Sequence, residues 1–281
     1  MIDDSQWFTE ISDYAGFAFS LKIKQKLHEE QSEFQKIEIY ETEHFGRLMV
    51  LDGCIMLTSR DNFIYHEMMS HPALFTHPAP KRVLIIGGGD CGTLREVLKH
   101  PEVELARQVD IDERVTRVSE QYFPELCDSN HDTRAQLLFT DGIECVRQAD
   151  AGSYDVIIVD STDPVGPGVV LYTTEFFQHC RRALAADGIF VQQSESPLIH
   201  HESIIRPMTR HMHEAGFKHT KILHFPQCTY PTGWWSCTMA SVAGDLGNRR
   251  LVSGTPTFET HYYTADIHLG AAAQPNFMLA E

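Results

Sequence analysis

The sequence of 281 residues lacks several features that mark whole classes of protein. Its longest apolar runs, such as RVLIIGG and DVIIVD, are far shorter than the roughly 20 residues that a membrane-spanning helix needs. Its N-terminus, MIDDSQWFTE, has neither the basic region nor the apolar stretch of a signal peptide. Its seven cysteines are scattered singly, without a CxxC pair. These absences argue against a membrane protein, a disulfide framework and a zinc site, and they predict a reducing, cytoplasmic location.

Basic residues are also scarce. The 23 Lys and Arg residues against 39 Asp and Glu give a formal net charge of −16. Such a field repels nucleic acid and attracts cations, so it favours a positively charged small substrate. Acidity that simply keeps the protein soluble is the alternative from charge alone. Hydrophobic residues make up 42% and charged residues 22%, which is typical of a globular enzyme and argues against disorder.

The first part of the chain has the pattern of β-hairpins. Short alternating apolar runs occur up to about residue 70, with turn signals at Phe45-Gly46 and Asp52-Gly53. A helix is expected over residues 61–75, broken or capped near Pro72.

From Pro80 the pattern changes to wholly apolar strands that alternate with helices. This alternation predicts a mostly parallel sheet covered by helices on both faces. The segments HTKILHFP and WWSCTMAS are close enough in the chain to pair antiparallel at its edge, and the tail HYYTADIHLGAAAQPNFMLAE is expected to form a turn and helix on the surface. We therefore predict an N-terminal β domain over residues 1–70 and a doubly wound, Rossmann-like α/β domain over 71–281, whose ligands would bind at the carboxyl ends of the strands.

The first of these strands ends in glycines. Gly87, Gly89 and Gly92 fit the pattern G-x-G-x-x-G between a strand and a helix, which is typical of dinucleotide binding. Asp90 lies where phosphates would lie in such a site. A carboxylate there would repel a pyrophosphate but would hold an ammonium group. Alternatively, Asp90 only caps the helix.

The next two strands end in acids. Asp110 follows the glycines by about 20 residues, where an acid commonly binds ribose hydroxyls. Asp112 is the competing candidate, better interpreted as a solvated helix cap. Asp141 and Gly142 could bind adenine through a carboxylate and a backbone amide, although Asp-Gly is also a common turn.

The fourth strand, YDVIIVD, ends at Asp160, and Asp163 follows in a loop stiffened by Pro164 and Pro167. A carboxylate pair can bind metal, perform acid–base catalysis or hold cations. Neither a histidine nor a third acid nearby completes a metal set, so no metal is predicted. Four acidic strand ends at one edge predict a site for a nucleoside with cationic attachments.

These motifs resemble those of the spermidine synthases, the polyamine aminopropyltransferases. The resemblance runs from residue 7 to residue 277 and is carried by LDG, TSRDNFIYHEM, VLIIGGGD, DVIIVDSTDPVGPG, YPTG and YYTADIH. It implies a methyltransferase-type Rossmann-like fold and transfer of an aminopropyl group from decarboxylated S-adenosylmethionine to putrescine, giving spermidine and methylthioadenosine. It implies no cofactor besides that co-substrate, and a homodimer or dimer of dimers assembled partly through the N-terminal β unit.

The resemblance also implies roles for individual residues. The adenosine part would be held by the glycine loop at Gly87 and by Gln35, Asp110, Asp141, Gly142 and Pro167. Asp90 and His66 would contact the aminopropyl and polyamine portions, and Asp160 would accept the proton with Asp163 beside it. The amine tunnel would be lined by Tyr65, Tyr230 and Gln193, with Tyr14 at its entrance. Glu195 or Tyr14 could meet the distal ammonium.

The sequence departs from the family pattern at four positions, without removing a group that the chemistry requires. Cys91 replaces a glycine or alanine, Asp110 replaces a commoner glutamate, and Ser59 and Asn62 differ from the usual TERDEF. The alternatives are a putrescine N-methyltransferase, an aminopropyltransferase with another amine acceptor, and a non-catalytic polyamine-binding protein. A nicotinamide-dependent dehydrogenase fits the glycines but not Asp90.

Overall fold

The computed structural model describes residues 6–13, 15–162, 166–247 and 256–279, and two β-sheets form its framework. The first sheet is antiparallel, with its strands in chain order: β1 (Trp7–Ser12), β2 (Phe17–Gln31), β3 (Lys36–Thr42), β4 (Arg47–Leu51) and β5 (Cys54–Thr58). The predicted turn between β4 and β5 is confirmed, since Asp52 and Gly53 both have positive φ, 48° and 86°, as a two-residue hairpin turn requires. The first sheet ends at Thr58, and helix α1 begins at Asn62.

The second sheet has the order β11-β12-β10-β9-β6-β7-β8. Its strands are β6 (Arg82–Gly87), β7 (Leu105–Asp110), β8 (Ala135–Phe139), β9 (Tyr154–Asp160), β10 (Leu184–Gln193), β11 (His219–Pro226) and β12 (Trp234–Ser241). The strands from β10 to β8 pair in parallel, whereas β12 pairs antiparallel with both β10 and β11. The mostly parallel sheet and its antiparallel edge were both predicted, and both are confirmed.

Helices cover both faces of the second sheet. They are α1 (Asn62–Thr76), α2 (Gly92–Leu98), α3 (Glu113–Tyr122), α4 (Gly142–Gln148), α5 (Thr174–Ala183), α6 (Pro197–His200), α7 (Arg206–Glu214), α8 (Ala265–Ala271) and α9 (Asn276–Leu279). Because successive strand residues point to opposite faces, Val83 and Ile85 pack with α1 and α2, while Leu84 and Ile86 pack with α4, α5 and α7. In the described part of the chain no helix is both long and apolar enough to cross a membrane.

Helix α1 does not break at its proline, so that prediction was wrong. Pro72 lies inside the helix, which continues to Thr76. Proline removes the N–H that would bond the carbonyl four residues earlier. In this fold the carbonyl of Met68 instead accepts from Cys237 Sγ at 3.6 Å. A neighbouring strand therefore satisfies the group that the proline leaves.

The C-terminal segment was predicted to form a turn and helix on the surface, but it contains two helices, α8 and α9, and part of it is buried. Tyr263 is fully buried and stacks on Phe75, with ring centroids 5.5 Å apart. Glu67 in α1 is also fully buried, and its carboxylate accepts three consecutive backbone N–H groups from His261, Tyr262 and Tyr263. The segment thus completes the core beside α1.

Candidate active site

The four strand ends selected from the sequence lie side by side at one edge of the second sheet. The register pairs Gly87 with Asp160 and Asp110 with Phe139. They surround a cavity of about 270 Å³. Its lining includes nine of the predicted residues: Gln35, Tyr65, Gly87, Asp90, Asp110, Asp141, Gly142, Asp160 and Tyr230.

The glycine loop lies against both neighbouring strands because its glycines have no side chains. A Cβ atom on Gly87 would lie 2.1 Å from the carbonyl oxygen of Asp160, and one on Gly89 would lie 2.8 Å from Asp110 Oδ2. Cys91, at the start of α2, has φ 71°, the left-handed conformation that favours glycine. The glycine or alanine that is usual at this position has a smaller side chain than cysteine, or none.

The Asp90 side chain accepts the first N–H of helix α2, and the residue also lines the cavity, so the two interpretations of its role are compatible. Its Oδ1 atom accepts from the Gly92 N–H at 2.7 Å and lies 3.2 Å from His66 Nε2. A Cβ on Gly92 would lie 2.2 Å from the His66 ring, so only glycine lets the histidine pack there. His66 is 1% exposed and lies behind Asp90, outside the cavity lining.

Asp160 is the last residue of β9, and each of its carboxylate oxygens accepts a hydrogen bond from a hydroxyl group. Tyr65 Oη donates to Oδ1 at 2.7 Å, and Thr93 Oγ1 donates to Oδ2 at 2.6 Å. The backbone carbonyl of Asp160 accepts from the Gly88 N–H at 2.7 Å. Both the carboxylate and its backbone are therefore fixed.

Asp90 and Asp160 influence each other electrostatically and have opposite pKa shifts. Burial and the nearby Asp90 charge raise the pKa of Asp160, although His66, Thr93 and Tyr65 oppose the rise. Burial also raises the pKa of Asp90, but the His66 interactions and the Gly92 N–H outweigh it, so the net shift is downward. Carboxylates whose environments push their pKa values apart are suited to different tasks: Asp160 to accepting a proton and Asp90 to remaining an anion.

Asp110 and Asp112 divide the two roles considered for them. Asp110 lines the cavity and accepts the Asp112 N–H at 2.8 Å, and burial raises the pKa of Asp110 to about 6. Asp112 caps α3 through the Arg114 N–H, as expected, but it is buried and not solvated. Its Oδ2 atom accepts from Gln35 Nε2 at 3.0 Å, which holds Gln35 at the cavity.

Asp141 caps helix α4. Its Oδ1 atom accepts from the Ile143 N–H at 2.8 Å, while Asp141 and Gly142 both line the cavity. A Cβ on Gly142 would lie 2.6 Å from Ile86 Cγ2, so the close packing of this turn on the sheet requires glycine. The turn and the cavity lining are thus formed by the same residues.

A second cavity of about 50 Å³ adjoins the first, and both include Tyr65, Ser161 and Tyr230 in their linings. Gln193 lines only the second, and it donates to Tyr172 Oη at 3.0 Å and to Glu195 Oε1 at 3.1 Å. Glu195 is 1% exposed and lies outside the linings of both cavities.

Three predicted positions fall outside the site as described. Asp163 and Tyr14 lie outside the described residues, as does the side chain of Pro167. Within the described ranges, no group of three or more His, Cys, Asp or Glu side chains could hold a metal ion.

The sequence reasoning missed Thr93, Glu10 and Met56. Thr93 directly follows the glycine motif, so its position in the first turn of a helix beside Asp160 was a usable signal. Glu10 and Met56 come from the N-terminal sheet and line the second cavity. Their sequence context, WFTEIS and CIMLT, carries no chemical motif.

Both parts of the chain match models of known families. Residues 6–59 match the spermidine synthase tetramerisation domain, and residues 62–247 match the spermine/spermidine synthase domain. The chain belongs to the spermine/spermidine synthase family. It is an aminopropyltransferase enzyme, and the resemblance found in its motifs is confirmed.

Members of the family match nearly the whole chain. It is 63% identical over 275 residues to a polyamine aminopropyltransferase of Thioalkalivibrio sulfidiphilus, covering 98% of this chain and 96% of the relative. It is 61% identical over 278 residues to that of Methylococcus capsulatus, covering 99% and 97%.

Solved structures of the family share the fold. A spermidine synthase in complex with the transition-state analogue AdoDATO aligns with a TM-score of 0.89 at 36% identity, over 96% of this chain and 92% of the other. The spermidine synthase of Thermotoga maritima aligns with a TM-score of 0.88, at the same identity and coverage. The predicted fold class is thus confirmed.

Proposed function

We propose that this enzyme transfers the aminopropyl group of decarboxylated S-adenosylmethionine to putrescine, giving spermidine and methylthioadenosine. The observation that carries the proposal is Asp160, which lines the nucleoside-sized cavity and is hydrogen-bonded to Tyr65, a residue that lines both cavities. An amine that extends past Tyr65 from the smaller cavity would meet Asp160 beside the reacting carbon of a donor in the larger one.

The donor would occupy the larger cavity. Asp110 would bind the ribose hydroxyls, Asp141 and Gly142 the adenine, and Gln35, Gly87 and Pro167 would complete the nucleoside site. Asp90 would hold the ammonium of the aminopropyl group, with His66 fixing the carboxylate from behind. Ordinary S-adenosylmethionine carries a carboxylate next to that ammonium, and Asp90 would repel it.

The acceptor would occupy the smaller cavity. Tyr65, Tyr230 and Gln193 line it, and by family resemblance Asp163 would lie beside Asp160. Glu10 is the acid in the lining of this cavity that comes from the N-terminal sheet. Because putrescine has an ammonium at each end, we assign the distal one to Glu10 rather than to the buried Glu195.

The reaction needs a deprotonated amine. A primary alkylamine has a pKa of about 10.4, so about one molecule in a thousand is unprotonated at neutral pH. Asp160 accepts the proton, and the freed lone pair forms a bond to the propyl carbon. The bond from that carbon to sulfur breaks, and its electron pair stays on sulfur, which becomes a neutral thioether. The raised pKa makes Asp160 a better base than an ordinary aspartate.

The test is Asp160→Asn with decarboxylated S-adenosylmethionine and putrescine, followed by mass spectrometry. We expect wild type to form spermidine and methylthioadenosine, and the variant to lose about a thousandfold in kcat/KM because the amide is not a base. Methylthioadenosine should bind both proteins with similar affinity. Near-normal turnover by the variant would remove the central residue of the proposal.

The matched control is Asp155→Asn. Asp155 is a buried acid in the same strand, but it accepts backbone N–H groups from Lys81 and Arg82 at the other end of β9. This variant should lose stability while keeping its turnover. Formation of methylputrescine from S-adenosylmethionine would favour the methyltransferase alternative instead, and tight spermidine binding without methylthioadenosine release would favour the binding protein.

We also propose that the enzyme assembles as a dimer of dimers. The match of residues 6–59 to a tetramerisation domain supports this assembly. Sedimentation velocity of the full chain should give the mass of four chains, and a monomer across the micromolar range would contradict it.

A further inference from the structure

Thr93 lies in the first turn of α2 and is completely buried. Its hydroxyl donates to Asp160 Oδ2 at 2.6 Å, although the two residues are 67 positions apart in the chain. The buried threonines Thr76 in α1 and Thr116 in α3 donate instead to backbone carbonyls, those of Pro72 and Gly89, at 2.7 and 2.8 Å. The Thr93 hydroxyl is directed at a carboxylate of the candidate site.

The two hydroxyl donors bind different oxygens of the Asp160 carboxylate. Tyr65 occupies Oδ1 on the side of the cavities, since Tyr65 lines both of them. Thr93 occupies Oδ2, which also lies against the glycine loop, because a Cβ on Gly88 would be 3.0 Å from it. The carboxylate therefore has a loop side and a cavity side.

The surroundings of Asp160 oppose its ionisation. Burial and the negative charge of Asp90 favour the protonated acid, and hydrogen bonds from Thr93 and Tyr65 favour the carboxylate. Titratable groups from five parts of the chain face Asp160 or its immediate neighbours. They are Tyr65 and His66 in α1, Asp90 in the glycine loop, Arg95 in α2, Asp110 in β7 and Tyr230 in the loop before β12. Of the two hydroxyl donors, Thr93 is the one outside the cavity linings, so a substitution there leaves the substrate contacts in place.

We propose that Thr93 is a positioning residue of the aminopropyl transfer: its hydroxyl holds Oδ2 of Asp160 against the glycine loop, keeps the acid ionised, and so leaves Oδ1 to receive the amine proton. This inference rests on the proposed function. A hydrogen bond to an ionised group is stronger than one between neutral groups, so the Thr93 hydroxyl stabilises the carboxylate form of Asp160 more than its protonated form.

The test is the pH dependence of kcat/KM for putrescine in wild type, Thr93→Val and Thr93→Ser. Valine has the same shape without the donor, so the limb at which activity appears with rising pH should move upward by about one pH unit. Below that limb the variant should be about tenfold slower than wild type, and above it the two should converge within about threefold. Serine restores the donor and should restore the position of the limb.

Thr116→Val is the matched control. Thr116 is a completely buried helical threonine whose hydroxyl donates to the carbonyl of Gly89, in the same glycine loop, at 2.8 Å. Its removal disturbs the loop without touching a carboxylate, so any reduction in rate should be the same at every pH. Should Thr93→Val fail to fold, Thr93→Ala removes the same donor and takes its place.

The outcomes separate the two proposals. If wild type is active and the activity of Thr93→Val or Thr93→Ala appears at the same pH as that of wild type, only the role of Thr93 is overturned. The same upward movement in Thr116→Val would also overturn it, because the movement would then come from the loop. A wild type that forms no spermidine or methylthioadenosine overturns the proposed function and this inference with it.

Discussion

At the scale of single residues, the carboxylate of Asp110 sits in an environment that does not favour its charge. Burial raises its pKa to about 6 from an ordinary 3.8, and the charges of Asp112, Asp90 and Asp160 add to the rise. The folded protein therefore binds a proton at Asp110 more tightly than the unfolded chain does. Its contribution to stability is complete below the unfolded pKa and is lost as pH rises through the folded one.

We expect Asp110→Asn to stabilise the ligand-free fold at neutral and higher pH. The amide oxygen can still accept the Asp112 N–H, but it carries no charge to bury. The gain in the free energy of unfolding should be about 3 kcal/mol at about pH 8 and less than about 1 kcal/mol at about pH 4. Urea unfolding at the two pH values measures both gains, and methylthioadenosine binding should weaken because the carboxylate proposed to bind the ribose is lost.

The exposed Asp150→Asn serves as the control and should leave the free energy of unfolding unchanged at both pH values. Equal stability of wild type and Asp110→Asn at the higher pH would mean that this carboxylate is better solvated than its burial indicates.

At the scale of elements, helix α1 joins the site to the rest of the core. Tyr65 lines the site and His66 contacts Asp90 from behind. The next residue, Glu67, accepts the N–H groups of three residues nearly 200 positions later, at 2.7 to 2.8 Å. The C-terminal segment is thus fastened to the helix that positions Asp160 through Tyr65. The motif YHEM combines contacts to the site with a structural one.

We expect Glu67→Gln to destabilise the protein by about 3 kcal/mol, because an amide has one acceptor oxygen and its NH₂ group would face backbone donors in a dry site. Urea unfolding measures the loss, and proteolysis of the native protein should become faster within the C-terminal segment. Glu202→Gln removes an exposed partner of Arg206 and should cost less than about 1 kcal/mol. Equal effects of the two variants would contradict the anchoring role of Glu67.

The elements themselves were largely predictable from the sequence, and the contacts between them were not. The apolar strands of the second sheet and the turn at Asp52-Gly53 follow from local pattern and backbone chemistry. The uninterrupted helix at Pro72 depends on Cys237 in β12, and the burial of Tyr263 depends on Glu67 in α1. Each of these partners lies in a different element from the feature it supports. The same holds for Thr93, whose partner lies 67 residues away. Acids at strand ends could be found in sequence because parallel strands bring their carboxyl ends together, whereas the groups that tune those acids reach them only through tertiary packing.

At the scale of the whole molecule, both sheets build the candidate site. Gln35, in the turn between β2 and β3, and Met49, in β4, line the larger cavity. Glu10 lines the smaller cavity, and Met56 lines both. The second sheet supplies the acids of the strand ends. The two segments that match separate family models are therefore both needed for one site, and the site should be lost if either is removed.

The net charge of −16 should act on the approach of substrates as well as on their binding. Putrescine is a dication at neutral pH, so kcat/KM for putrescine should fall by about three- to tenfold as sodium chloride rises from about 20 to about 300 mM. Methylthioadenosine is neutral, and its dissociation constant should stay nearly constant over the same range. Because the proposed function puts both ligands in adjoining parts of one site, this comparison separates screening from general effects of salt on the fold. A flat kcat/KM for putrescine would mean that the acids at the strand ends act only at contact and that the remaining acidity serves solubility.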